Sequence, residues 1–138
     1  MKIRTDFVTN SSSTSFVIIT TGDFSRQEFL ELMGINHKSP LEPLFTALYE
    51  SFRESMYPAN EFFSRYERDA AHIDWFEMVK NQFVPEVVSR IAEARNTNKN
   101  IYIGKLSSDE SLIESFFCTD SFEAENDKIY LNALDNIW

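Results

Sequence analysis

Hydrophobic and polar positions alternate at the start of the chain. Ile3, Thr5 and Phe7 fall on one side and Lys2, Arg4 and Asp6 on the other, the period of a half-buried strand. Phe16-Val17-Ile18-Ile19 is a continuous β-branched and aromatic run and predicts a buried strand through Thr20. Between them lies Thr9-Asn10-Ser11-Ser12-Ser13-Thr14-Ser15, whose short polar side chains hydrogen-bond their own backbone and favour turns. The two strands with this run as their connection predict an N-terminal hairpin over residues 1–20.

The pattern then becomes helical over residues 25–97. Ser25 and Glu28 have capping-box spacing, Phe24 and Phe29 are placed as a hydrophobic staple, and Gly34 suits a left-handed stop. A second helix is expected from Ser39, with Pro40 as its first residue. Its apolar face would be Leu41, Leu44, Phe45, Leu48, Tyr49, Phe52 and Met56, and it should stop near Pro58. Phe62, Phe63 and Tyr66 suit a further helical turn, and Asp74 with Glu77 caps a segment that runs to Phe83. Pro85 either kinks that helix or starts the next, whose face is Val84, Val87, Val88 and Ile91 and whose end is the polar run Asn96-Thr97-Asn98-Lys99-Asn100.

Residues 100–133 read as strand, helix and hairpin. Ile101, Tyr102 and Ile103 mark the strand, Ser107 to Glu110 a helix start, and Leu112, Ile113, Phe116 and Phe117 its face. Asn126-Asp127 reads as a two-residue hairpin turn, which sets Glu125 opposite Lys128, Ala124 opposite Ile129 and Phe122 opposite Leu131. The whole predicts one α/β (α+β) domain over residues 1–138: a small mixed sheet with N-terminal strands, a central helical insertion and a C-terminal β-hairpin. The mixed sheet follows from the long helical link between residues 16–20 and 101–106, which permits a parallel crossover.

Composition adds limits. The 138 residues include 13 Phe and only 3 Gly, so the chain has the apolar content of a folded domain. Its net charge of −9 argues against general binding to duplex nucleic acid or an anionic membrane. No apolar run approaches the ~20 residues that span a bilayer, and no signal peptide is visible, so a cytoplasmic location is expected. A lone Cys118 excludes an intramolecular disulfide and reads as a buried small side chain.

The first 17 residues carry a resemblance. Met1-Lys2-Ile3-Arg4, then Phe7-Val8-Thr9-Asn10-Ser11-Ser12-Ser13-Thr14-Ser15-Phe16-Val17, resembles a recurring opening of uncharacterised bacterial proteins, with Thr14 in place of an unbroken serine run. The resemblance implies a bacterial or phage origin and brings no activity or catalytic residue with it. The segment suits a shared recognition handle as well as it suits a shared first hairpin.

Three chemistries remain open. Ser11, Ser12, Ser13, Thr14 and Ser15, with Ser107 and Ser108, offer hydroxyls and backbone N–H groups for an anion or nucleotide, although no glycine is present to let a phosphate approach. His72 stands three residues after Asp69, and His37 has no acid at that spacing, so neither a metal nor a cofactor is specified. The densest charge is C-terminal: from residue 107 onward eight carboxylates face Lys128 alone, which places −7 of the −9 in the last 32 positions. Asp120, Glu123, Glu125 and Asp127, with the terminal Ile137 and Trp138, are therefore the candidate contacts for an unidentified protein partner, a basic one being the match in charge. A non-enzymatic accessory protein is the leading expectation. A nucleotide or anion module, and an acidic inhibitor of a nucleic-acid-binding surface, are the alternatives.

Overall fold

Four successive apolar residues from Phe16 to Ile19 have no polar side to turn to water, and the fold answers by covering both faces of their strand. The structure, a computed structural model, describes residues 13–66, 74–107 and 122–134. In chain order the elements are β1 (Ser13–Thr20), α1 (Arg26–Leu32), α2 (Glu42–Ser55), β2 (Met56–Pro58), α3 (Ala59–Tyr66), α4 (Trp75–Gln82), α5 (Pro85–Asn96), β3 (Asn100–Ser107), β4 (Phe122–Glu125) and β5 (Ile129–Leu134). The strands form one sheet in the order β2-β3-β1-β5-β4, so β1 is central. Phe16 and Ile18 pack with Phe24, Phe29, Leu48 and Phe52, from α1, α2 and the turn before α1. Val17 and Ile19 point the other way, against Phe62 and Phe63 of α3, Val79 of α4 and Val87 and Ile91 of α5. The architecture is α+β in three layers, with helices on each side of the sheet.

Every described ladder is antiparallel, which corrects the expected mixed sheet. The reason is β2, a three-residue strand the sequence pattern hides inside a helix stop. Helices α1 and α2 carry the chain from β1 to β2, which runs in the same direction as β1 but two places away. Strand β3 then fills the gap antiparallel to both. Pro58 is tolerated there because β2 is an edge strand.

Several local signals work as the sequence implies. Ser25 Oγ accepts from the Glu28 N–H at 3.2 Å, and the Phe24 and Phe29 rings meet edge to face at 5.9 Å. Gly34 takes φ 71°, and the Ile35 N–H closes α1 on the Leu30 carbonyl at 2.9 Å. Pro85 is the first residue of α5 and starts that helix instead of kinking its predecessor.

Helix α2 begins at Glu42 and not at Pro40. A start at Pro40 would place Pro43 where the first intrahelical N–H is needed; the later start puts Pro43 in the first turn, where that N–H has no partner to lose. The N-terminal end of the expected apolar face also stays outside: Leu48 and Phe52 are buried, but Leu41 and Leu44 are 49% and 47% exposed.

The C-terminal hairpin forms with a different register. Glu125 lies opposite Tyr130 and Ala124 opposite Leu131, so the turn residues are Asp127 and Lys128. Asn126 sets this choice: its side-chain oxygen accepts from the N–H groups of Lys128 and Ile129, both at 2.9 Å. Because each residue's partner shifts by two positions, the faces are unchanged while the expected Glu125–Lys128 pair is lost. The expected strand at residues 2–7, residues 108–117 of the expected helix, His72 with Asp69, and Cys118 lie outside the described residues, and Ser107, expected to start that helix, is the last residue of β3.

Candidate functional site

The two groups of candidate residues meet different surroundings. Of the hydroxyl set, Ser11, Ser12 and Ser108 lie outside the described residues. Ser13, Thr14 and Ser15 are part of β1 and not of a connecting loop, and Ser13 pairs in register with Ser107 at the end of β3. The sheet thus brings Ser13 and Ser107 together, on one edge of the ladder. Ser15 has β3 on one side and β5 on the other, opposite Lys105 and Leu134, so its backbone belongs to the sheet. Its hydroxyl is in a residue only 1% exposed and has no hydrogen-bond partner among the described residues. A bulky anion arriving from solvent has no path to it.

The acidic set is better placed. Asp120, Ile137 and Trp138 lie outside the described residues. Glu123 and Glu125, two apart on β4, share the sheet face that α5 covers, as do Tyr130 and Asn132 of β5. Glu125 receives both guanidinium arms of Arg90 from α5, one of them at 2.8 Å. The same guanidinium lies over the Tyr130 ring, 4.6 Å from its centre. Tyr130 donates its hydroxyl hydrogen to Glu123 at 2.7 Å, and the Asn132 amide donates to the same carboxylate at 3.1 Å. One helix and two strands are therefore fastened by a continuous polar network, in which two of the candidate carboxylates are already partnered.

These bonds move the proton affinities. The Arg90 guanidinium holds the Glu125 carboxyl below its ordinary value. That contribution to stability is present above the usual carboxylate range and is lost as pH falls through the lowered folded value. Burial, reinforced by the bond to Glu123, pushes the Tyr130 phenol up to about 12 from 10.0. The folded protein holds this proton more tightly than the unfolded chain, so the stabilisation is intact below pH 10.0 and is lost as pH rises toward about 12. Ultraviolet titration should show a late-ionising tyrosine phase from Tyr130, and Glu123→Gln should bring that phase down. A single phase near the ordinary value would contradict the network.

Where α5 meets the β4–β5 turn, a cleft of about 150 Å³ opens, lined among others by Arg90, Glu93, Lys99, Glu125, Asp127 and Tyr130. Lys128 also lines it, 3.9 Å from Glu28 of α1. Glu93 and Asp127 make no ion pair or side-chain hydrogen bond among the described residues. They are the carboxylates of the cleft lining left available among the described residues; Asp127 is one of the four that the sequence singles out, and Glu93 is not. Glu93 was missed because it belongs to a helix far ahead of the hairpin in the sequence; its only signal is that it lies one turn beyond Arg90 on α5.

The described residues hold no group of three His, Cys, Asp or Glu side chains that could bind a metal ion. Among them, no helix is long and apolar enough to cross a membrane. Compared with protein-family models, curated proteins and solved structures, the chain matches none.

Proposed function

We propose that the chain is a non-enzymatic accessory protein of the bacterial cytoplasm that binds a basic protein partner at the junction of α5 and the C-terminal hairpin. The observation that carries this reading is the cleft with Glu93 and Asp127 at its lining, unpaired among the described residues. At about 150 Å³ it falls well short of the ~300 Å³ at which small-molecule pockets begin. It suits the end of one Lys or Arg side chain from a partner.

Preorganisation supports the same reading. The Arg90–Glu125 pair and the Tyr130–Glu123–Asn132 bonds hold helix and hairpin in one arrangement, so little ordering remains to be paid for on binding. The interspersed Lys99 and Lys128 would fix the register of a partner and repel a misplaced cation.

Affinity capture from the source cells, with the tagged chain at low and at raised ionic strength, tests the proposal. A basic protein retained at low salt and released by added salt is the expected result. Retention that ignores salt, or no retained protein at all, would overturn it.

A further inference from the structure

A second cleft lies around the end of α5, where the polar run Asn96-Thr97-Asn98-Lys99-Asn100 passes into β3. It is open, about 320 Å³, and its lining includes Asn60, Trp75, Arg95, Asn98, Lys99 and Ile101. This volume is within the ~300–1,000 Å³ range of small-molecule pockets.

The chemistry of the lining is specific. Arg95 lies over the Trp75 indole, 5.1 Å from the ring centre, and is fixed there by Asp74 at 3.1 Å. Asp74 is itself held by the N–H of Phe76, which it caps at the start of α4. Trp75 and Arg95 therefore form a steady flat wall, the kind of surface on which a planar ring stacks. Arg95 is neutralised by Asp74, whereas Lys99 makes no close ion pair among the described residues and acts on Glu125 only through space. The Asn60 and Asn98 side-chain amides likewise have no hydrogen-bond partner among the described residues. Among the described residues no carboxylate lines this cleft, in a chain of net charge −9.

The position of Lys99 is built into the fold. Asn98 takes φ 57°, a left-handed conformation that asparagine accepts more readily than most residues, and the Lys99 N–H closes α5 on the Ala94 carbonyl at 2.9 Å. The cleft thus combines a ring-stacking wall, two amides with both donors and acceptors, and one cation with no close ion pair among the described residues.

From this combination we infer that the cleft binds a nucleoside monophosphate, with the base on the Trp75–Arg95 wall, its edge on Asn60 and Asn98, and the phosphate at Lys99. The site is separate from the Glu93–Asp127 cleft, apart from Lys99, which borders both. It also differs from the serine and threonine hydroxyls that the sequence suggested for an anion.

The test is titration of the full chain with each of the four ribonucleoside monophosphates, followed by tryptophan fluorescence and amide chemical shifts. Saturable binding that shifts the Trp75 and Lys99 signals is expected. Lys99→Glu should weaken it by about tenfold or more without changing the melting temperature, through loss of the phosphate contact. Trp75→Leu should weaken every nucleotide alike, and inorganic phosphate alone should leave the Trp75 signals unmoved. Glu93→Lys with Asp127→Lys should leave nucleotide binding in place, which separates this site from the partner surface. No saturation in the millimolar range, or an affinity indifferent to Lys99→Glu, would overturn the inference.

Discussion

Replacing Gly104 with alanine is expected to destabilise the protein by about 3 kcal/mol, at the upper end of what overpacking costs. A β-carbon there would lie 2.5 Å from the Ser55 carbonyl oxygen and 2.8 Å from Cε1 of Phe16, and closer still to Cζ of the same ring. Neither neighbour has room to retreat. The Phe16 ring is fully buried and packs edge-on against Phe52 with centres 4.8 Å apart. The Ser55 carbonyl is backbone at the end of α2, and the next residue, Met56, pairs with Gly104 across the β2–β3 ladder. Glycine to alanine in an unstrained position usually stabilises by ~0.4–1 kcal/mol through the unfolded chain. Here the clash is larger than that gain, so the sign reverses. Urea denaturation followed by circular dichroism measures it, and an unchanged midpoint would contradict the close approach of α2 to β3.

Truncating Phe52 to alanine should cost about 4 kcal/mol, the middle of the range for a buried phenylalanine. Its ring touches Phe16 and also meets Phe29 edge to face at 5.9 Å, so it joins α2 to both α1 and the central strand. A domain of this kind has a total stability of ~5–15 kcal/mol, which makes the loss a large share of the whole. Leu44 lies two turns earlier on the same helix and is exposed. Leu44→Ala should therefore stay within about 0.5 kcal/mol of the parent. Equal losses at the two positions would contradict the way α2 lies on the sheet.

The contrast between Phe52 and Leu44 also shows where sequence reasoning reaches and where it stops. Both residues fit one helical stripe, and periodicity alone gives no reason to separate them. What separates them is how far the sheet extends beneath the helix, a tertiary fact. Signals carried by neighbours were legible: Ser25 with Glu28, Phe24 with Phe29, Gly34 and Pro85 each act through the adjoining turn of chain. Strand β2 was not legible, because three residues ending in proline make no pattern, and missing it turned an antiparallel sheet into an expected mixed one.

The same limit applies to the candidate site. The C-terminal concentration of carboxylates is plain in the sequence, but their availability is not. Arg90, the partner of Glu125, stands 35 positions earlier, and Glu93 comes to the hairpin from the same helix. Asn126 also moved the turn by one residue, which left Glu125 to Arg90 and brought Lys128 near Glu28. Of the described carboxylates in that C-terminal set, the fold bonds Glu123 and Glu125 into the network that holds the hairpin and leaves Asp127 beside the cleft, where Glu93 of α5 joins it.

A paired comparison tests that division directly. Partner retention and melting temperature would be measured for Glu93→Lys with Asp127→Lys and, separately, for Glu123→Gln with Glu125→Gln. The first pair is expected to abolish retention and leave melting unchanged, whereas the second lowers the melting temperature and, while the protein is folded, weakens retention far less than the first. Full retention by the lysine pair, or loss of retention by the folded glutamine pair alone, would contradict it.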